Sequence, residues 1–174
     1  MSLIKVKGSS ITGALAAVDG SALTGISGGK VLQVTHRRRT GESNVASTSY
    51  EATPSYGSIT PSATTSKVLV MVALPSMYHS NSTAGRVMVS RETSIQSTGG
   101  SHTGSNIGED FFSVYKGTND MQTSKNVFMF LDAPDTTSQV HYQIYIKNRT
   151  STGHFYLGQG GTPQHDVTLM EIAV

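Results

Sequence analysis

The stretch SKVLVMVAL, residues 66–74, is the most apolar segment of this 174-residue chain. Valine recurs along it, and β-branched residues favour extended structure. It is far shorter than the roughly 18–20 apolar residues that a membrane-spanning helix needs. We therefore predict that residues 66–74 form a central strand of a β-sheet.

A second stretch, SQVHYQIYIK (138–147), alternates apolar and polar residues, as a strand with one buried face does. One predicted face carries Val140, Tyr142, Ile144 and Ile146, and the other carries His141, Gln143, Tyr145 and Lys147. The alternation predicts a strand that presents its first face to the core.

Similar short segments recur along the chain between clusters of Gly, Ser, Pro and Asn. Residues 95–110 are rich in turn-forming residues and are predicted to be an exposed loop. About nine or ten strands at this spacing predict an all-β, jelly-roll-like antiparallel sandwich over residues 30–174. The further predicted strands are 30–40, 49–54, 56–60, 86–94, 111–116, 126–132, 155–158 and 166–174.

Composition excludes several classes of protein. A formal net charge of +2 is too small to predict a nucleic-acid or membrane-surface partner. The chain has no cysteine, so we expect no disulfide framework and no thiolate metal site. The start MSLIKVKG is not followed by the apolar core of a signal peptide, so we expect synthesis in a cytoplasm.

The first 29 residues differ from the rest. They contain two related phrases, GSSITG (8–13) and GSALTG (20–25), joined by ALAAVD. A disordered tail is one interpretation, but a purely solvating linker has little use for regularly spaced apolar side chains. We predict an extended arm, residues 1–29, that becomes ordered on a partner. Its candidate anchoring residues are Leu3, Ile4, Val6, Ile11, Leu15, Val18, Leu23 and Ile26.

Motifs for catalysis are missing from the sequence. The six histidines lack partners at metal-ligand spacing, and no GxSxG nucleophile motif occurs. GQGG (158–161) has no following helix that would make it a phosphate loop. Asp132 and Asp135 are a potential carboxylate pair, but aspartate is common in turns. We therefore predict no enzymatic activity, no catalytic residue, no cofactor and no metal.

Two polar features point to contacts between subunits. Arg37 and Arg39 would share one side of a strand, either as solvated residues or as partners of an acidic neighbouring subunit. Glu171 lies in the apolar terminal segment TLMEIAV, where a buried carboxylate needs a partner. An arginine or lysine of another subunit would supply one; a solvated strand face is the alternative.

Four stretches, in this order, resemble a group of small virion proteins of tailed bacteriophages. They are SALTGISGGKVLQV (21–34), ITPSATTSKVLVMVAL (59–74), LDAPDTTSQVHYQIYIK (131–147) and DVTLMEIAV (166–174). The resemblance implies a jelly-roll-like β-sandwich that forms a homotrimer and has no enzymatic activity. Such modules occur at the tips of tail fibres and on capsid surfaces.

The arm favours the capsid surface. Many proteins of this group have a long repetitive region before GGKVLQV, whereas 1–29 would reach at most about 100 Å. We expect a trimeric decoration, or cement, protein whose arm binds the major capsid protein in the virion. The alternative is a tail-fibre or spike knob that binds a host receptor through exposed loops. Its candidate contacts are Tyr78, His79, His102 and Tyr115.

Overall fold

The computed structural model describes residues 30–79, 84–115, 126–149, 153–158 and 162–174, with the backbone alone described at 84 and 109–115. No helix occurs in these ranges. The strands are β1 (Val31–Thr40), β2 (Ser43–Val45), β3 (Glu51–Ile59), β4 (Lys67–Leu74), β5 (Met77–His79), β6 (Ala84–Glu92), β7 (Ser105–Tyr115), β8 (Asn126–Asp132), β9 (Val140–Asn148), β10 (Phe155–Leu157) and β11 (Gln164–Ile172).

The long strands form two four-stranded sheets with the orders β1-β11-β4-β8 and β3-β9-β6-β7. All of their pairings are antiparallel. The chain alternates between the two sheets except at β6 and β7, which pair as neighbours. This strand order is that of a jelly roll, so the predicted fold class is confirmed.

The core lies between the two sheets. β4 lies between β11 and β8, as predicted, and every second side chain points inward. The four predicted apolar residues of β9 also face this core. Its members from these two strands are Val68, Val70, Val72, Leu74, Val140, Tyr142, Ile144 and Ile146.

Two predicted boundaries are wrong. The segments 49–54 and 56–60 form one strand, β3, whose register shifts between Ala52 and Tyr56. The irregularity accommodates Pro54, which has no N–H to donate to the partner strand. The predicted exposed loop 95–110 is also shorter, because β7 begins at Ser105.

A small third sheet, β2-β10-β5, packs on the main core. The sequence predicted β10 but neither three-residue partner. Phe155 and Leu157 on β10 are fully buried. A Cβ atom added at Gly85, near the start of β6, would lie 2.0 Å from the Phe155 ring, so this close approach requires glycine.

Candidate interaction surface

The sheet β1-β11-β4-β8 presents apolar side chains on its outward side as well as its inward side. Val34 on β1 lies opposite Met170 on β11, and Met170 lies opposite Leu69 on β4. Leu69 in turn lies opposite Leu131 on β8. One apolar row therefore crosses all four strands.

Two shorter rows lie beside it, Met71 opposite Met129 and Ala73 opposite Val127. The β8 side chains are the most open, with Val127 68% and Met129 66% exposed. We call this surface the outer apolar face. Its residues are Val34, Leu69, Met71, Ala73, Val127, Met129, Leu131 and Met170.

Charged side chains border this face at its ends. Asp166 on β11 lies opposite Ala73, so this row becomes polar toward β1. The Asp166 carboxylate lies 2.7 Å from Nε of Arg38 and 3.3 Å from Nε2 of His36. At the other end, Lys67 lies opposite Ile172. The centre of the face therefore presents apolar side chains, with polar groups at the border. A contiguous exposed apolar patch with a polar border is typical of a protein-binding surface.

The outward side of the other sheet is covered by the chain itself. Residues 93–104, which we call the covering loop, lie across β3 and β9. Gln143 of β9 is fully buried and donates to the carbonyl oxygens of Thr53 (2.8 Å) and Gln96 (2.9 Å). Its own oxygen accepts from the Gln96 N–H at 2.8 Å. The amide of one side chain thus fixes the loop on the sheet.

Glu92 supports the other end of the covering loop. It is 1% exposed and accepts hydrogen bonds from the Tyr145 hydroxyl (2.8 Å) and the Thr103 hydroxyl (3.0 Å). Burial raises the pKa of Glu92, but hydrogen bonds from Tyr145, Ser90, Thr103 and the Gly104 N–H outweigh it and lower the pKa below its usual value. The carboxylate is therefore held ionised under the loop.

Glu171 receives hydrogen bonds from residues of its own chain. It is fully buried, and Ser62 donates to it from both its backbone N–H (2.7 Å) and its hydroxyl (2.6 Å). Gln33 donates from Nε2 at 2.6 Å. Burial raises the pKa of Glu171, but the hydrogen bonds outweigh it and lower the pKa to about 2. The solvated face considered for Glu171 is therefore wrong, and its carboxylate has donors within the chain. A contact with another subunit stays a prediction.

The motifs behind the family resemblance meet at these internal contacts. Gln33 belongs to GGKVLQV, Ser62 to ITPSATTSKVLVMVAL and Glu171 to the terminal motif. Within the remaining motif, the Tyr142 hydroxyl donates to Asp132 at 2.8 Å, and Asp132 also pairs with Arg91 at 2.7 Å. Polar residues of these motifs thus hold the strands together inside the fold.

Arg37 and Arg39 make contacts within the chain. The Arg37 guanidinium lies 3.4 Å from the centre of the Tyr56 ring, a cation–π contact with β3. Arg39 donates to the carbonyl oxygens of Gly41 and Glu42 and to the Ser43 hydroxyl. A role between subunits stays a prediction for both, and these contacts give each a structural role.

Three of the four predicted receptor contacts have described side chains, and these differ in their exposure. Tyr78 is half-buried in β5 and packs on Tyr156, with ring centroids 5.4 Å apart. His79 is 1% exposed and hydrogen-bonded to Asn148, so its prediction as an exposed loop contact is wrong. His102 packs edge-on against Tyr145 in the covering loop. The side chain of Tyr115 lies outside the described residues.

The arm also lies outside the described residues, which begin at residue 30. Its anchoring role therefore stays a prediction for Leu3, Ile4, Val6, Ile11, Leu15, Val18, Leu23 and Ile26.

The outer apolar face was missed by sequence reasoning, although a signal is present. NVFMFLD (126–132) was predicted as a strand, and both of its alternating sets are apolar. Phe128 and Phe130 contact the core, while Val127, Met129 and Leu131 point outward. A continuous apolar run in a strand indicates that both faces are to be buried.

Within the described ranges, no group of three His, Asp or Glu side chains is arranged to hold a metal ion. The same part of the chain has no helix long and apolar enough to cross a membrane.

No protein-family model matches this chain, and no curated protein matches it. Among solved structures, it is similar to a chain in the structure of infectious bursal disease virus Gx strain, at 9% sequence identity and a TM-score of 0.27. The match covers 83% of this chain and 32% of the viral one, so this chain spans about a third of that protein. A likeness at this TM-score carries no argument about function.

Proposed function

We propose that this chain is a non-enzymatic structural protein of a bacteriophage particle, a homotrimeric decoration protein that binds the major capsid protein. The observation that supports an assembly role most directly is the outer apolar face. Three of its residues on one strand, Val127, Met129 and Leu131, are each more than half exposed. A stable β-sandwich that exposes such a surface is suited to contact another protein.

Attachment to the shell is assigned to residues 1–29. Each arm would bury apolar side chains at joints between capsid subunits, at about 25 cal/mol per Å² removed from water. Three arms on one trimer would bind together, so that the second and third bind at high effective concentration. The jelly-roll module would then lie on the outside of the shell.

Immunogold labelling of intact particles, with antibody raised against the purified chain, tests this proposal. We expect gold distributed over the head. Gold confined to the tail would support the fibre or spike knob instead, and absence of gold from purified particles would contradict both.

Deletion of residues 2–27 tests the arm separately. We expect the shortened chain to keep its oligomeric mass and to lose co-sedimentation with capsid shells. A chain in which Ile95 is changed to Ser serves as the control, because Ile95 is an exposed apolar residue of the covering loop. Shell binding that survives the deletion would overturn the assignment of the arm.

One observation favours the receptor-binding alternative. Tyr156 packs between Tyr78 and His154, with ring centroids 5.4 Å and 5.9 Å away. His154 is exposed, and both tyrosines are half-buried. Aromatic rings at a surface can stack on sugars, so Tyr156→Ala would reduce adsorption of particles to host cells if the chain is a receptor-binding knob. Unchanged adsorption would favour the decoration role.

A further inference from the structure

The outer apolar face needs a specific occupant, and its composition indicates which one. Interfaces between permanently associated copies are more apolar than those between proteins that meet transiently. The three rows of this face contain Val, Leu, Met and Ala, with charges at the ends. It also carries three methionines, a residue type enriched at interfaces. This composition matches a contact between copies of one chain.

We infer that the outer apolar face is the surface through which three copies of this chain associate, with the face of each copy directed toward a common three-fold axis. The trimer itself rests on the proposed function; the face that forms it is the new inference. β8 lies nearest the axis, since Val127, Met129 and Leu131 are its most exposed apolar residues and gain most from burial.

The outward side of this sheet sets the scale of the contact. Four strands about 4.8 Å apart, with a rise of about 3.4 Å per residue, present about 500 Å² of flat area over the eight residues of β4, polar border included. Around a three-fold axis each copy contributes one such side, so the trimer would cover about 1,500 Å² of flat area in all, shared among three contacts. Protruding side chains increase the contact area beyond the flat value.

Charge at the ends of the face is compatible with this packing. Arg38 and Asp166 already pair with each other within one chain, so approach of another copy leaves neither without a partner. His36 contacts the same carboxylate. Lys67 lies at the other end of the face. It is the first residue of β4, and its long side chain can reach solvent.

The inference also fixes where the arms start. The described chain begins at residue 30, and the next residue, Val31, lies opposite Ile172 on the same sheet. If this sheet surrounds the axis, the three arms leave from one end of the trimer. They would thus meet the shell together.

The test measures the molar mass of the purified full chain by light scattering over a wide range of concentrations. We expect three times the chain mass of 18.4 kDa for the wild type and for Ile95→Glu, and the single-chain mass for Met129→Glu. Circular dichroism checks that each variant is folded. A wild type that is monomeric throughout, or a folded Met129→Glu that stays trimeric, would overturn the inference.

A second variant tests the position of β8 even if Met129→Glu does not fold. The chain has no cysteine, so Met129→Cys introduces a single thiol. We expect a short bis-maleimide to cross-link Met129→Cys between chains and to leave Ile95→Cys as single chains. No cross-linking at position 129 in a trimeric sample would contradict the position of β8.

Shell binding is measured on the same samples, so that the two proposals fail separately. A wild type that trimerises through this face but does not bind shells or particles would contradict the decoration role alone. A wild type that binds shells and keeps its trimer in Met129→Glu would contradict the assigned face alone.

Discussion

The outward sides of the two sheets differ in how they are completed. The sheet β3-β9-β6-β7 receives the covering loop, held by hydrogen bonds to Gln143 and Glu92. The sheet β1-β11-β4-β8 leaves apolar side chains exposed, Val127 at 68%. The outward side of the first sheet is therefore covered during folding, by polar contacts within the chain. The outward side of the second sheet keeps exposed apolar area, which association with another protein can bury.

The largest expected change in the free energy of unfolding follows removal of the Glu92 carboxylate, which holds the covering loop. Glu92→Ala should lower the free energy of unfolding by about 2–3 kcal/mol, because the hydroxyls of Tyr145 and Thr103 lose their acceptor. Urea denaturation followed by circular dichroism, at one protein concentration, measures it. Glu42→Ala is the control, since Glu42 is exposed, and should cost under about 0.5 kcal/mol. Equal losses in the two variants would show that Glu92 does not hold the loop.

A smaller change removes one hydrogen bond from the same site. Tyr145→Phe keeps the buried ring and deletes the hydroxyl that donates to Glu92, so we expect a loss of about 1 kcal/mol. Because the two residues share this bond, the losses of Glu92→Ala and Tyr145→Phe should sum to more than the loss in the double variant. Strict additivity in urea denaturation would contradict the coupling.

Acid should weaken the fold in two stages. Burial and the nearby Arg39 lower the pKa of the buried His165 to about 4, from an ordinary value of about 6.5. Between those values the unfolded chain binds a proton that the folded chain does not, so stability falls as pH falls. Glu92 and Glu171, whose pKa values are lowered, add a further loss below about pH 4.5.

Variants separate these stages in urea denaturation series at different pH. His165→Gln should flatten the loss between about pH 6.5 and 4, and Glu92→Gln should reduce the loss below about 4.5. None of the eight residues of the outer apolar face is titratable, so variants at these positions should follow the wild-type profile. A profile that is unchanged in both His165→Gln and Glu92→Gln would contradict the assignment.

The smallest effect on folding is expected on the open side. Val127→Thr should change the free energy of unfolding of the single chain by less than about 0.5 kcal/mol, because this side chain is exposed. Val72→Thr, on the inward side of the same sheet, should cost about 1–3 kcal/mol by burying a hydroxyl. Both are measured at concentrations where light scattering gives the single-chain mass. Equal costs would mean that the outward side is as closely packed as the core.

Much of the fold follows from local pattern. Alternation placed the inward residues of β9 correctly, and an apolar run identified β4 as central, because burial of one or both strand faces leaves a periodic trace in the sequence. The first predicted segment, 49–54, ends at Pro54, although β3 continues through this proline with a shift in register. Sequence shows that a proline cannot donate a hydrogen bond, but not whether the partner strand requires one there.

The candidate site was harder to predict. Glu171 was identified as a carboxylate that needs partners, yet its donors come from Gln33 and Ser62, which are distant in sequence. The covering loop has the composition of an exposed loop, and only its docking on Gln143 and Glu92 distinguishes it. The outer apolar face depends on the register of four strands, which aligns single exposed residues such as Val34 and Leu131 into rows.

The convergence of Gln33, Ser62 and Glu171 also bears on how such proteins diverge. The residues that carry the resemblance are ones that the interior of this chain uses, so they mark a fold. Outward positions such as Met129 can change without disturbing those internal hydrogen bonds. Substitution at outward positions can therefore change what such a fold contacts while the residues that carry the resemblance persist.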